Sequence, residues 1–260
     1  MAKRVFRNGS LVMGKLRILS HSGEPFKDRR EAGRLLANEL KDYRSKRSVV
    51  LGIPRGGIIV AQELARVLEA DLDIVLAHKL RTPGHTELAM GSIAEDGKLF
   101  LNEEVIREFE VDDTYISQEK ARQMAEIRRR TELFRHAHPK VPLAGKTVIV
   151  TDDGVATGAT TQAALWAVRL EKPKKLIAAL PVGPEDTIMR LAEDVDEMIC
   201  LRTPPLFAAV GQFYIRFEPI EDKEVLEILK EEQQRGGSYV CHCQQYHNQE
   251  QCGKPNLPPG

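Results

Sequence analysis

Residues 146–165 read KTVIVTDDGVATGATTQAAL, and this stretch contains the pattern that decides the fold. The apolar run 148–150 predicts a buried strand, and two adjacent carboxylates, Asp152 and Asp153, follow it directly. A turn rich in Gly and Thr comes next, and a helix is predicted from that turn to Leu170. A strand, a polar turn and a helix in direct succession form the repeating unit of proteins with a mainly parallel sheet.

The same alternation continues along the 260 residues of the chain. Breakers at Pro54 and Gly56–Gly57 separate strand 49–53 from the helix that follows. The other predicted elements are a helix from 26 to about 40, a helix over 58–69, a strand over 72–77, a hairpin over 91–101 around Asp96-Gly97, a helix over 112–135, a strand over 176–180, a helix from 184, a strand over 195–201 and a helix over 222–232. We therefore predict an α/β fold, a Rossmann-like and mainly parallel sheet flanked by helices.

The patterning divides the chain into three parts. Residues 1–23 are weakly patterned and read as an N-terminal extension, residues 24–235 form the α/β domain, and the polar residues 236–260 are predicted to be a disordered tail. Residues 203–217 leave the alternating pattern and are assigned to a small hood. Cysteines 241, 243 and 252 lie near histidines, but their spacing is not a standard zinc-ligand spacing, so the disordered tail is favoured.

Composition restricts the class of partner. Basic and acidic residues balance at 38 each, which argues against nucleic acid as a partner. Lys3, Arg4 and Arg7 precede no apolar stretch long enough for a signal peptide or a membrane span. We therefore expect a cytoplasmic protein with no membrane partner. The run Arg128-Arg129-Arg130 is interpreted as a solvated helix face without function.

The turn after the predicted strand 148–150 has the chemistry of a phosphate-binding loop. It lies at the carboxyl end of a predicted parallel strand and begins a helix, where backbone N–H groups lack partners and favour an anion. The lysine of a P-loop is absent. The candidate phosphate ligands are Ala156, Thr157, Gly158, Ala159, Thr160 and Thr161.

The aspartate pair adds a second kind of ligand to this turn. Two carboxylates can accept hydrogen bonds from a vicinal diol or bind Mg²⁺ directly or through water. A phosphate and a diol close together describe a ribose 5-phosphate. An Asx turn with a threonine N-cap is the alternative, and it explains only one aspartate and one threonine.

Residues 148–160 resemble the phosphoribosyl-diphosphate (PRPP) signature of type I phosphoribosyltransferases. That signature is four apolar residues, an acidic pair, two apolar residues, two small residues, Gly, any residue and Ser or Thr. Thr151 and Gly154 depart from it, at positions that are usually apolar and aliphatic. The stretches 28–33 and 207–214, with Glu87 and Gly91, resemble a bacterial subgroup of uncharacterised phosphoribosyltransferases.

Residues 53–57, Ile-Pro-Arg-Gly-Gly, resemble the pyrophosphate loop of the same family, which often holds a cis-type peptide. The resemblance implies that Arg55, Gly56 and Gly57 bind the pyrophosphate. Lys79 and Arg81 stand where the family often has a basic residue near the diphosphate, although solvated loop charges are nearly as good an interpretation. Residues 82–92 correspond to the flexible loop that closes over the family's site.

The resemblance implies a phosphoribosyltransferase that uses PRPP and Mg²⁺, transfers the 5-phosphoribosyl group to a small nitrogenous acceptor and releases pyrophosphate. Arg55, Asp152 and Asp153 would be catalytic, and one aspartate would hold the metal through water. Ala156 replaces the aspartate of 6-oxopurine enzymes, which argues against hypoxanthine or guanine. Homodimers are common in the family.

Two questions stay open at this stage. The first is acceptor recognition: Phe207, Phe213 or Tyr214 in the hood could stack on a planar ring, but core packing of these rings is the favoured alternative. The second is activity, because the fold also serves PRPP-sensing regulators that do not catalyse and could serve a hydrolase with water as the acceptor.

Overall fold

A parallel sheet lies at the centre of the molecule because several strands are apolar on both faces. The structure is a computed structural model that describes residues 2–7, 10–44 and 48–247, with the side chains of 2–14, 86–87 and 236–247 left out. Its strands are β1 (Ala2–Arg7), β2 (Ser10–Ser20), β3 (Ser48–Gly52), β4 (Asp71–Ile74), β5 (Ala77–Thr82), β6 (His85–Ala94), β7 (Leu99–Leu101), β8 (Thr147–Thr151), β9 (Lys175–Val182) and β10 (Glu197–Arg202). Its α-helices are α1 (Arg29–Glu39), α2 (Gly57–Leu68), α3 (Glu103–Glu108), α4 (Asp113–Ala137), α5 (Ala159–Leu170), α6 (Glu185–Leu191) and α7 (Asp222–His247).

The main sheet has the strand order β1-β2-β10-β9-β8-β3-β4. All neighbours from β2 to β4 are parallel, and only β1 runs antiparallel to its neighbour. β3 lies beside β8, with Gly52 opposite Thr151, and the Ile53 N–H donates to the Thr151 carbonyl at 2.9 Å. The predicted α/β fold is confirmed, and this pairing brings the loops after β3 and β8 together at one edge.

Apolar residues fill both faces of the sheet. One core joins the sheet to α1, α2 and the first turns of α7, with Phe26, Leu36, Leu64 and Leu229 fully buried. The other core joins it to α5 and α6. Among the residues that the structure describes, no helix combines the length and apolar character needed to cross a membrane.

A small antiparallel sheet of order β5-β6-β7 lies beside α5, where Phe100 stacks on Trp166 with ring centroids 4.5 Å apart. The predicted turn around Asp96-Gly97 connects β6 and β7, with Gly97 in the left-handed region at φ 80°. Residues 82–92, predicted to be a loop, instead lie mostly in β6. Only Pro83 and Gly84 connect β5 and β6. The prediction of a longer loop was wrong because the segment is rich in turn residues, and the cross-strand pairing that makes it a hairpin is not visible in local sequence.

The N-terminal segment is also more structured than predicted. β2 pairs in parallel with β10, from Lys15 opposite Glu197 to Ser20 opposite Arg202, so the predicted extension supplies two strands of the main sheet. β2 pairs with the edge of β10 that would otherwise be unpaired. Local sequence patterning does not reveal this pairing, because the two strands are almost two hundred residues apart.

The C-terminal helix runs beyond the end predicted at 232. α7 continues to His247 and so includes the first twelve residues of the predicted tail. Its sequence has many good helix formers and no proline between 222 and 247, and the helix continues through Gly236 and Gly237, the two poorest helix formers in it. Residues 248–260 lie outside the described residues, and the predicted disorder there stays a prediction.

A buried ionic network fastens α4 to both sheets. The Arg135 guanidinium donates to Asp73 Oδ1 at 2.6 Å on β4 and to both carboxylate oxygens of Glu95 at 2.7 and 2.9 Å after β6. Asp73 is 1% exposed. Hydrogen bonds from the guanidinium thus compensate two buried carboxylates, together with Lys140 at 3.2 Å from Glu95 and the Val141 N–H at 2.9 Å from Asp73.

Candidate active site

Two glycines let the loop after β3 pack against the aspartate pair. A Cβ atom on Gly56 would lie 1.9 Å from Asp153 Oδ2, and one on Gly57 would lie 2.8 Å from the Asp152 Cα. No side chain can be accommodated at such distances, so glycine at both positions is a requirement of this close approach. The peptide bond between Pro54 and Arg55 is cis, as the resemblance to the pyrophosphate loop implies.

The two carboxylates lie at the end of β8 and share a local hydrogen bond, from the Asp153 N–H to Asp152 Oδ1 at 2.8 Å. Burial, followed by the neighbouring Asp153 charge, raises the pKa of Asp152 well above its usual value. Burial also raises the pKa of Asp153, and the Arg29 guanidinium acts in the opposite direction. The pair is therefore a partly desolvated acceptor whose protonation responds to any cation that approaches it.

Arg29 is a site residue that sequence reasoning missed. Its Nε donates to Asp153 Oδ2 at 2.7 Å, and its Nη1 donates to the Glu218 carbonyl at 2.9 Å. Its guanidinium also lies over the Phe217 ring, 3.8 Å from the ring centroid. The side chain of Arg29 is only 9% exposed and that of Asp153 is 15% exposed, so this ion pair is largely shielded from water.

A signal for Arg29 was present in the sequence. Arg29, Ala32, Gly33 and Leu36 are all buried and follow the i, i+3, i+4, i+7 spacing of one helix face. An arginine on the apolar stripe of an amphipathic helix needs a buried acceptor. Only the tertiary structure shows that this acceptor is Asp153.

The hood packs onto the same loop from the other side. The Tyr214 hydroxyl donates to the Asp153 carbonyl at 2.5 Å, and its ring stacks on Phe217. A Cβ on Gly154 would lie 2.7 Å from Val210 Cγ1. The signature usually has an aliphatic residue at this position, and glycine here leaves space for the hood.

The predicted stacking residues divide into two kinds. Phe213 is 2% exposed and Tyr214 is 6% exposed, so both rings belong to the core and neither offers a free face in this structure. The prediction that they stack on an acceptor gives way to the core-packing alternative, because the hood folds down onto Phe26 and α1. Phe207 is half-buried, with its ring centroid 5.0 Å from that of Phe213, and is the remaining candidate.

The predicted phosphate loop forms the start of α5. Gly158 is the N-cap in the left-handed region at φ 76°, and Ala159, Thr160 and Thr161 form the first turn. The N–H groups of a first turn have no intrahelical acceptor and point to the space ahead of the helix. Thr160 is exposed, whereas the Thr161 side chain is buried and cannot reach a ligand in that space.

The loop that precedes α5 is anchored by its carbonyl groups. The Ala156 carbonyl accepts a hydrogen bond from Thr187 Oγ1 at 3.0 Å, and the Thr157 carbonyl accepts one from the Arg190 guanidinium. Ala156 and Thr157 are exposed. The loop is thus held from α6 while its outer surface faces solvent.

The predicted pyrophosphate ligands lie in two places. The Arg55 side chain is 46% exposed, with its guanidinium 3.9 Å from Glu221. Lys79 and Arg81 line a cavity of about 210 Å³ whose wall also includes Pro54 and Thr160. The structure therefore brings both basic residues of β5 to a cavity between the two ligand loops, although Asp152 and Asp153 do not line it.

Mg²⁺ is compatible with the donor set at the aspartate pair. Among the residues described, no cluster of three or more His, Cys, Asp or Glu side chains could form a complete protein cage for a metal. Mg²⁺ commonly binds through one or two carboxylates, with waters and substrate phosphate oxygens as its other ligands. Two adjacent, partly shielded carboxylates fit that arrangement.

Comparison with known proteins agrees with this geometry. Residues 26–217 match the family model described as a phosphoribosyl transferase domain. A Mycobacterium tuberculosis H37Rv protein named "Putative phosphoribosyl transferase Rv0571c" is 44% identical over 204 residues, which is 78% of this chain and 46% of the relative. The chain thus spans about half the length of that relative.

Solved structures extend the comparison to the fold. The crystal structure of TT1426 from Thermus thermophilus is 42% identical and has a TM-score of 0.76, with 80% of this chain and 98% of that chain covered. A hypoxanthine-guanine phosphoribosyltransferase from Bacillus anthracis is 18% identical with a TM-score of 0.36, over 74% and 79% of the two chains, which is too distant to bear on the acceptor. The match over residues 26–217 and the relatives above 40% identity show that this chain belongs to the phosphoribosyltransferase family.

Proposed function

We propose that the chain binds PRPP with Mg²⁺ and transfers its 5-phosphoribosyl group to a small nitrogenous acceptor, with release of pyrophosphate. One observation carries the proposal. The glycines of the loop after β3 touch the aspartate pair at the end of β8, directly before the helix start that can bind a phosphate. A diol acceptor, a phosphate site and an arginine-bearing loop in one place match the three parts of PRPP.

Different protein groups contact the ribose, the 5-phosphate and the pyrophosphate of PRPP. Asp152 and Asp153 accept hydrogen bonds from the ribose hydroxyls, and Arg29 favours the ionised state of Asp153 that this requires. Residues 156–161 surround the 5-phosphate, with backbone N–H groups as the main donors. Arg55 and the Gly56-Gly57 backbone face the pyrophosphate.

The reaction displaces pyrophosphate from C1 by a nitrogen nucleophile through a transition state with oxocarbenium character. Catalysis then depends on positioning and on positive charge aimed at the departing diphosphate. Mg²⁺ bound at the carboxylates through water would add Lewis-acid neutralisation of that leaving group. Arg55 is exposed enough to approach the diphosphate. Residues 85–92 lie in β6, so we propose no loop closure over the site.

The acceptor is constrained at two positions. Ala156 supplies no carboxylate to handle a purine proton, so hypoxanthine and guanine are disfavoured. Of the three predicted stacking residues, Phe207 keeps partial exposure and is proposed to contact a planar acceptor. The proposed enzyme acts as a soluble, cytoplasmic protein, and a homodimer is the assembly expected from the family resemblance.

The test is a pyrophosphate-release assay with PRPP and Mg²⁺, with and without a panel of purines, pyrimidines and small amides. We expect release that depends on one class of acceptor. Release without any acceptor would instead identify a hydrolase, and PRPP binding without turnover would identify a sensing module. Failure of PRPP to bind or to raise the melting temperature would refute the proposed function in every form.

A variant at the acidic pair tests the site itself. Asp152→Asn with Asp153→Asn should abolish PRPP binding, because two strong acceptors for the ribose hydroxyls become weaker amides. Asp113→Asn, at an exposed aspartate in the first turn of α4, is the control. Unchanged PRPP affinity in the double variant, with its circular dichroism spectrum intact, would exclude the diol contact.

A further inference from the structure

The cavity of about 210 Å³ that Lys79 and Arg81 line has one wall formed by α4, which no sequence motif indicated. Besides Pro54, Thr160 and the β4–β5 segment, α4 contributes two side chains to it, Gln123 and Arg130. The run Arg128-Arg129-Arg130 reads from sequence as a solvated face. The structure separates its members, because Arg128 and Arg129 are exposed while Arg130 is half-buried.

Helical geometry explains why Arg130 differs from its two neighbours. Gln123, Ile127 and Arg130 lie at i, i+4 and i+7, so they share one face of α4. The first two are buried, with 7% and 1% of their surfaces exposed. Arg130 extends this buried face to the wall of the cavity.

One donor of the Arg130 side chain has no polar partner. Within the described part of the chain, its Nε is buried and has no hydrogen-bond acceptor. An N–H group removed from water without an acceptor is costly, and the cost is larger when the group is charged. A guanidinium in this state has donors ready for an anion that enters the cavity.

The charged residues among those that line the cavity are basic, and no Asp or Glu belongs to the described lining. Lys79 and Arg81 line it together with Arg130. The nearby carboxylate of Glu119 is already engaged: it accepts hydrogen bonds from Gln123 Nε2 at 2.9 Å and the Arg81 N–H at 3.2 Å, and it pairs with Arg122 at 2.8 Å.

The position of the cavity selects among anions. Its wall includes Pro54, from the loop that resembles the pyrophosphate loop, and Thr160, from the proposed 5-phosphate loop. The 5-phosphate has the N–H groups of α5 as donors, so a basic cavity beside Pro54 is suited to the other end of PRPP. One water occupies about 30 Å³ of liquid, so a cavity of this size admits a group of several heavy atoms.

We propose that Arg130 binds the diphosphate of PRPP together with Lys79 and Arg81, as a donor contributed by α4 from outside the two signature loops. This inference rests on the proposed function. Arg130 supplies the planar fork of N–H groups that pairs with phosphate oxygens in a bidentate manner, which a point charge such as a lysine cannot do.

The experiment measures binding of three ligands by calorimetry in the presence of Mg²⁺: inorganic pyrophosphate, PRPP and ribose 5-phosphate. Arg130→Met should weaken pyrophosphate and PRPP by about 10-fold or more, the loss expected for a charge-assisted hydrogen bond. Ribose 5-phosphate, which lacks the diphosphate, should bind within about twofold of wild type, because charges separated by water are largely screened. Arg129→Met removes an exposed charge from the same run and is the matched control.

The outcomes distinguish failure of the Arg130 inference from failure of the proposed function. If wild type binds PRPP while Arg130→Met binds pyrophosphate equally well, the inference is overturned and the proposed function stands. Equal losses for ribose 5-phosphate and pyrophosphate would also overturn it, since the effect would not be specific to the diphosphate. If wild type binds none of the ligands, the proposed function fails together with the inference. Arg130→Lys, which keeps the charge without the fork, should bind pyrophosphate with intermediate affinity and provides the same test if the methionine variant does not fold.

Discussion

Replacing Arg29 by methionine tests the connection between the hood, α1 and the aspartate pair. The substitution keeps an unbranched side chain over Phe217 but removes the donors to Asp153 and to the Glu218 carbonyl. Both members of the ion pair are mostly buried, at 9% and 15% exposure. Loss of one partner of such a pair costs about 3–5 kcal/mol, because the other charge stays buried without compensation.

The expected measurement is a decrease of that size in the free energy of unfolding at pH 7, from urea titration. Total stabilities of domains are about 5–15 kcal/mol, so the change would be large. The double variant Arg29→Met with Asp153→Asn should recover part of the loss, because the uncompensated charge is then absent. Arg30→Met is the matched control: Arg30 is 45% exposed, and its partner Glu63 keeps two other arginines nearby, so we expect a loss below about 1 kcal/mol.

The pH dependence of the loss gives an independent check. Without Arg29, burial raises the folded-state pKa of Asp153 further above its unfolded value of about 3.9. A raised pKa means that the folded state binds the proton more strongly, so the cost of the variant is greatest above the folded-state pKa. It should shrink as the pH falls through that pKa toward about 3.9. A loss below about 1 kcal/mol at pH 7, or no recovery in the double variant, would refute the reasoning.

Two further substitutions test the parts of the fold that hold the site. Arg135→Met should lower the free energy of unfolding by about 1.5–3 kcal/mol in urea titration, because Asp73 and Glu95 lose their shared charge-assisted hydrogen bonds but keep the Val141 N–H and Lys140 as partners. A loss typical of surface pairs, below about 1 kcal/mol, would contradict this role. Gly158→Ala should cost about 1–2 kcal/mol for the left-handed backbone, apart from the contact of its Cβ with Thr187 at 2.8 Å. It should also weaken ribose 5-phosphate binding in calorimetry, and unchanged affinity would argue against a 5-phosphate at this loop.

Several features could be predicted from local sequence because each depends on neighbouring residues. The apolar run before Asp152 and the Gly–Thr turn after it predict a strand, a ligand loop and a helix, and the structure has β8 and α5 at these places. The glycines after Ile53 likewise predict a loop at a strand end. The resemblance to the family rests on the same short motifs, which lie within the matched residues 26–217.

Other features depend on residues that are distant in sequence and meet only in the folded chain. The edge pairing of β2 with β10 needed a partner strand, and the burial of Phe213 and Tyr214 needed a hood folded against α1. A Cβ atom on Gly56 would clash with Asp153, and one on Gly154 would clash with Val210, which explains the need for glycine at both positions. Both neighbours come from segments that are distant in sequence.

The sequence by itself determined the fold class, the resemblance to the family and the residue types of the proposed phosphate and diol ligands, because those are carried by contiguous strands and turns. Only the tertiary structure showed that Arg29 compensates Asp153 and that Arg130, unlike Arg128 and Arg129, reaches a cavity. The physical reason is that the charge state of a buried group depends on its three-dimensional neighbours. For these two arginines the neighbours come from loops and strands far away along the chain.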